Sequence, residues 1–256
     1  MEMFIKNVKL VFTIIMCFSL LNLFGHNAYG NEMDKKNEWV ILLHGLTRSP
    51  GSMHKMAKQL EKNGYHVINQ GYPSTRFAIE TLAEKFIPKA LEKCSTGNAA
   101  RIHFVTHSMG GILVRYYLAH HDISNLGRVV MLSPPNHGTE AVDKLGWTTP
   151  FKWLNGPAGQ QLGTGPESIP NILGPVNFDL GVITGDRSIN WFLSCMIPGP
   201  DDGKVSLKSA NIQGAADFLV LHATHPFIMK KKHVIRQTIS FLQRGRFERK
   251  TKKKSS

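Results

Sequence analysis

Arg101-Ile102-His103-Phe104-Val105-Thr106-His107-Ser108-Met109-Gly110-Gly111 is the stretch on which the reading of this chain turns. Ile102, Phe104 and Val105 form a short apolar run of strand character. It stops at Thr106 to Gly111, after which Ile112, Leu113, Tyr116 and Tyr117 recur at helical spacing. A strand, a tight turn and a helix place Ser108 at the apex of the turn. Such a turn cramps the serine backbone and lifts its hydroxyl clear of the sheet. Gly110 removes a side chain where strand and helix approach most closely. Serine is also a favoured N-cap, so this junction alone is compatible with a helix start that does no chemistry.

Upstream, Trp39 to Leu43 is a near-continuous apolar run, the mark of a strand buried on both faces of a parallel sheet. It ends in His44-Gly45-Leu46. Met53, Met56, Ala57 and Leu60 then give a helical stripe that stops at Asn63-Gly64, and Tyr65 to Ile68 is the next strand. Ile79, Leu82, Ala83, Phe86 and Leu91 mark another helix, with a disturbance expected at Pro88. Downstream, Val129 to Leu132, Leu180 to Ile183 and Phe218 to Leu221 read as further strands, and Val234, Ile235, Ile239, Phe241 and Leu242 as a last helix. The alternation predicts an α/β fold, a doubly wound and mostly parallel sheet with right-handed crossovers. Residues 146–178 interrupt it. They hold several Gly and Pro with Trp147, Phe151, Trp153 and Leu154, and they read as a loop-rich cap insertion or a small satellite core.

The chain has 256 residues, enough for one large domain, and a formal charge of +13. That charge is not spread evenly. Residues 230–256 hold eleven Lys and Arg against a single acid, Glu248, so the remainder is close to neutral. Nucleic-acid binding therefore ranks low. Residues 246–256 are expected to be a solvated, disordered basic tail, with an anionic membrane surface as one partner and simple solubilisation as the alternative. At the other end, Lys6 and Lys9 precede an apolar run from Leu10 to Phe24, too short for a comfortable membrane span. Ala28-Tyr29-Gly30 offers small residues for cleavage after Gly30. The expectation is a signal peptide over 1–30, a domain over 31–245, and export to the periplasm or medium, with a retained N-terminal anchor as the alternative. Cys94 and Cys195 would remain after cleavage, either paired or as free thiols.

Several of these segments matter together. A serine hydroxyl is a poor nucleophile at neutral pH and needs a base, most often histidine, held in turn by a carboxylate. His225 follows the last strand, in His222-Ala223-Thr224-His225, where the ring can turn back over the sheet. His222 is its competitor, while His44 and His137 sit in other strand-end loops and are read as shaping the site. For the acid, Asp202 in Pro200-Asp201-Asp202-Gly203-Lys204-Val205 is preferred, with Asp186 after the preceding strand as the rival and Asp201 as a solvent-facing neighbour.

With His-Gly-Leu, His-Ser-Met-Gly-Gly and Pro-Asp-Asp-Gly-Lys-Val in that order, residues 38–243 resemble the bacterial exported lipase and esterase branch of the α/β-hydrolase superfamily. The resemblance implies the chain order serine, acid, histidine. It also implies an acyl-enzyme on Ser108 formed without metal or organic cofactor, with Asp202 and His225 completing the triad. The backbone N–H groups of Leu46 and Met109 would be the oxyanion donors, and the substrate an ester or lipid. Thr106 departs from the usual Gly two residues before the serine. Thioesterases and acyltransferases share the scaffold. A non-catalytic protein binding anionic surfaces through its tail is the alternative outside enzymology.

Overall fold

The computed structural model describes residues 37–249. The expected signal peptide and the tail beyond Arg249 lie outside the described residues. Six strands form one parallel sheet in the order β2-β1-β3-β4-β5-β6. They are β1 (Glu38–Leu43), β2 (His66–Gln70), β3 (Arg101–His107), β4 (Leu126–Leu132), β5 (Leu180–Gly185) and β6 (Asp217–Leu221).

The apolar runs follow from what covers the sheet. Successive side chains of a strand point to opposite faces, and here both faces are dry. Ile41, Leu43, Phe104, Val129 and Met131 pack on one side against α2 (Ile79–Thr96) and α3 (Met109–His120). Val40, Leu42, Val105, Val130 and Leu132 pack on the other against α1 (His54–Lys62) and α9 (Lys232–Arg244). Each fully buried Ile, Leu or Val contributes about 1.5–3 kcal/mol, which is why these strands tolerate no alternating polar face.

β1 and β3 are sequence-distant neighbours, with β2 wound outward from β1 and β3 returning on its other side. That reversal opens a crevice beyond the carboxyl ends of β1 and β3, the place where ligands bind in open α/β sheets. His44-Gly45-Leu46 leaves the end of β1, and Ser108 leaves the end of β3.

The structure decides four local expectations. Helix α2 runs unbroken through Pro88, because buried Ile87, Ala90 and Cys94 fasten its apolar face on both sides of the missing N–H. Cys94 is buried and Cys195 exposed, both as free thiols. The 146–178 insertion is more helical than its Gly and Pro content suggests. It holds α5 (Thr149–Gln160), kinked at Gly156, and the single turn α6 (Ile169–Ile172). Its tryptophans neither line the Ser108 crevice nor form a satellite core, Trp147 being 76% and Trp153 85% exposed. The insertion is tied down by a buried cation. Arg115 of α3 donates to the carbonyls of Asn136 (2.9 Å), Pro170 (2.9 Å) and Gly174 (2.7 Å).

The fourth correction concerns residues 246–249, which composition assigns to the disordered tail. Phe247 is buried, with its ring 5.0 Å from that of Phe241, and its N–H donates to Asp217 at 2.8 Å. Arg249 forks onto the same carboxylate at 2.6 and 3.0 Å. A single aromatic in a basic run outweighs the solvation of its neighbours. Among the described residues no helix is long and apolar enough to cross a membrane.

Candidate active site

Ser108 has φ 53° and ψ −127°, a strained geometry for a residue with a side chain. Strand β4 fixes it from one side, the Ser108 N–H donating to the Leu132 carbonyl at 2.9 Å, and α3 from the other, the Ser108 carbonyl accepting from Gly111 N–H at 2.9 Å. A methyl group at Gly110 would lie 2.7 Å from the Leu43 carbonyl oxygen, so the helix reaches β1 only because that side chain is missing. Thr106 is accommodated in the same way, from the other side of the contact. Its hydroxyl lies 3.2 Å from where a Gly111 Cβ would stand.

His225 opens the 3-10 turn His225–Lys230, just beyond β6. Its N–H donates to the Asp202 carbonyl at 2.8 Å, fastening the two loops together. Its Nδ1 lies 2.9 Å from Asp202 Oδ2, and its Nε2 lies 3.1 Å from Ser108 Oγ. Since a carboxylate only accepts, Nδ1 carries the proton toward Asp202 and Nε2 accepts from the serine hydroxyl. Asp202 is fully buried, and Oδ1 accepts from the N–H groups of Val205 (2.9 Å) and Lys204 (3.1 Å). Burial alone would raise its carboxyl, but the charge and hydrogen bond of His225 outweigh it and hold it below the ordinary carboxylate value.

The competing residues have other partners. Asp186 and His222 pair with each other at 2.8 Å on the surface. Asp201 is turned inward to brace its own loop, accepting from Gly203 N–H (2.6 Å) and the Ser194 hydroxyl (2.7 Å). His137 faces Asn171 at 3.2 Å. His44 is buried and stacked flat on Tyr72, ring centroids 4.2 Å apart, while the Tyr72 hydroxyl donates to the His44 carbonyl. Those contacts clamp the turn after β1. Within that turn Thr47 N–H is engaged by Ser74 Oγ at 3.0 Å. The N–H groups of Leu46 and Met109 have no partner among the described residues.

One residue of the site went unassigned in the sequence. His107 lies within the quoted stretch but reads there as a strand end. Its ring is buried, and its Nε2 donates to the His225 carbonyl at 3.0 Å, so β3 holds the turn that carries His225. Burial first, and the nearby His225 second, keep its pKa well below the ordinary imidazole value, so it stays neutral. Gly45 makes room for it: a Cβ there would meet His107 Nδ1 at 2.9 Å and Ser108 Cβ at 3.1 Å.

A cavity of about 380 Å³ opens onto Ser108, lined by Leu46, Arg48, Ile189, Leu193, Lys204 and Pro226 among others. A roomier one, about 470 Å³ at His137 and Glu140, shares no wall with it. Its Ser209 hydroxyl is spent on the Gly138 carbonyl. Among the described residues no group of three or more His, Cys, Asp or Glu is arranged to hold a metal ion.

Comparison with known proteins agrees with this architecture. A family model described as the alpha/beta hydrolase fold matches residues 38–163. No curated protein matches the sequence. Among solved structures, the mature form of lipase BlEst2 from Bacillus licheniformis superposes with a TM-score of 0.63 at 20% identity, over 83% of this chain and 93% of that one. A thermophilic esterase from Thermogutta terrifontis gives 0.52 at 14% identity, over 82% and 91%. Phospholipase PlaB from Legionella pneumophila gives 0.55 at 19% identity, over 68% of this chain and 45% of that one, so the likeness spans under half of that phospholipase. At such identities the likeness speaks for the fold alone. The family match over the first four strands and the likeness to these solved structures agree that this chain has the alpha/beta hydrolase fold.

Proposed function

We propose that the protein is a serine carboxylester hydrolase of lipase or esterase type. The observation that carries this reading is the unbroken contact chain from Asp202 through His225 to Ser108, 2.9 Å and 3.1 Å. Ser108 Oγ attacks the ester carbonyl carbon as its proton passes to His225 Nε2. The carbonyl π pair moves onto oxygen, and the N–H groups of Leu46 and Met109 stabilise that oxyanion. Collapse breaks the carbon–oxygen bond to the leaving alcohol, which takes the proton from His225. Water then repeats the sequence on the acyl-enzyme, releasing the acid and restoring Ser108. Asp202 keeps the ring in the working tautomer and stabilises the imidazolium.

The lipase, esterase and phospholipase neighbours support an ester or lipid substrate. Residues 1–30 serve in this reading as a signal peptide and residues 31–249 as the hydrolase domain. The remaining basic tail is a candidate contact for anionic lipid. The test is a chain-length series of p-nitrophenyl esters on the mature protein. Turnover that disappears in Ser108→Ala supports the reading. Turnover that persists in that variant, or none across the series with folded protein, overturns it.

A further inference from the structure

The cavity above Ser108 is asymmetric in charge. Its wall after β1 carries Arg48, exposed at the mouth, and its wall beside Asp202 carries the half-buried Lys204. Neither side chain has a hydrogen bond or ion pair with a described residue. Among the described residues Asp202 is the one carboxylate lining the cavity, and its two oxygens are already taken up by His225 and by backbone N–H groups. Burial, and after it the repulsion of Arg48, holds the Lys204 ammonium below the ordinary lysine value, with Asp202 offsetting only part. Two cations that line one cavity and repel each other are relieved by an anion bound between them.

Part of the remaining wall is apolar. Ile189 and Leu193 line the cavity, and the short helix α7 (Trp191–Ser194) sets Trp191 beside Phe192 at its edge. Ile189 is 63% exposed, Trp191 77% and Phe192 52%. Hydrocarbon exposed at a cavity mouth is costly unless something apolar covers it.

Resting on the ester-hydrolase reading above, we infer that the substrate is an anionic amphiphile. Its acyl chain lies along Ile189 and Leu193, and a phosphate or carboxylate close to the scissile ester engages Arg48 and Lys204. A neutral ester would leave the two cations unmatched, so the charge distinguishes substrates through binding.

Three soluble esters of one acyl chain separate the cases: octanoyl monoglyceride, its phosphate monoester, and octanoyl glycolate as the carboxylate. Octanoate release by the full-length mature enzyme gives kcat and KM for each. At least one anionic ester should exceed the neutral one in kcat/KM by about tenfold, the scale of one charge-assisted hydrogen bond, with the gain in KM. That ratio should shrink with added salt and fall to about twofold or less in Arg48→Gln and in Lys204→Gln, whatever their absolute rates. Arg48→Glu should invert it. Which anionic ester wins decides between phosphate and carboxylate. Neutral ester cleaved as well as both anionic ones, or a preference that survives both substitutions, overturns this inference and leaves the hydrolase reading standing. Release from none of the three overturns the hydrolase reading itself.

Discussion

Asp186 and His222 are paired with each other, Nδ1 to carboxylate at 2.8 Å, at the exposed ends of β5 and β6. The same two strand ends lead inward to Asp202 and His225, whose matching contact is 2.9 Å and buried. Two Asp–His pairs of nearly equal length thus differ in burial and in whether a serine lies beyond the ring. Exposed pairs are worth about 0–1 kcal/mol, whereas an acid that fixes a catalytic tautomer is worth far more.

Asp202→Asn is therefore expected to lower kcat by about a thousandfold to ten-thousandfold, because the amide can donate to Nδ1 and impose the wrong tautomer. Asp186→Asn should stay within about twofold. Steady-state kinetics on one p-nitrophenyl ester, with both variants, checks this. Equal losses would remove Asp202 from the proposed role.

His107 and His44 give the fold a dependence on pH. Burial sets both rings below the ordinary value of 6.5, so they are neutral in the native protein. The unfolded chain then binds protons first as pH falls. Stability is intact above 6.5 and declines below it, by at most about 1.4 kcal/mol per pH unit for each ring. Urea midpoints should drop between about pH 7.5 and about pH 5.5, and the drop should be smaller in His107→Gln. An identical drop in that variant would show that other groups carry it.

Arg115 spends its guanidinium on three neutral carbonyls, and burial pushes its pKa down to about 10. Arg115→Met should cost about 3 kcal/mol by orphaning those carbonyls. Arg115→Lys should recover less than half of that, since an ammonium lacks the fork to span Asn136, Pro170 and Gly174. Urea unfolding measures both.

The packing of Phe247 divides the C-terminal run in two. Truncation after Gly245 should destabilise the protein by about 3 kcal/mol through loss of the Phe247 side chain, together with the Asp217–Arg249 pair. Truncation after Arg249 should leave unfolding unchanged while weakening binding to anionic vesicles. Thermal melts and vesicle co-sedimentation on the two proteins separate the structural portion from the proposed docking portion.

These contrasts mark what the sequence discloses. The sheet was legible because Trp39 to Leu43 and Val129 to Leu132 are apolar on both faces, and only a parallel sheet covered twice needs that. The three residues brought together at the crevice were legible because each stands in a strand-end loop, where spacing alone orders them. Arg115 was not: on a helix an arginine reads as a solvated face, and its acceptors lie 21 to 59 residues away. Phe247 was masked by the charges around it. His107 was hidden because its partner is a backbone carbonyl, which no sequence motif records. Arg48 and Lys204 lie on loops 156 positions apart, and only the fold sets them around one cavity.

Ser108 stands at the centre of all of this, and a fluorophosphonate probe tests it most directly. The probe reacts only with a serine whose base and oxyanion donors are already in place. Wild-type protein should be labelled stoichiometrically at Ser108, with labelling abolished in Ser108→Ala and strongly slowed in His225→Ala. Folded wild-type protein that remains unlabelled, or a label mapped to another serine, would contradict the account.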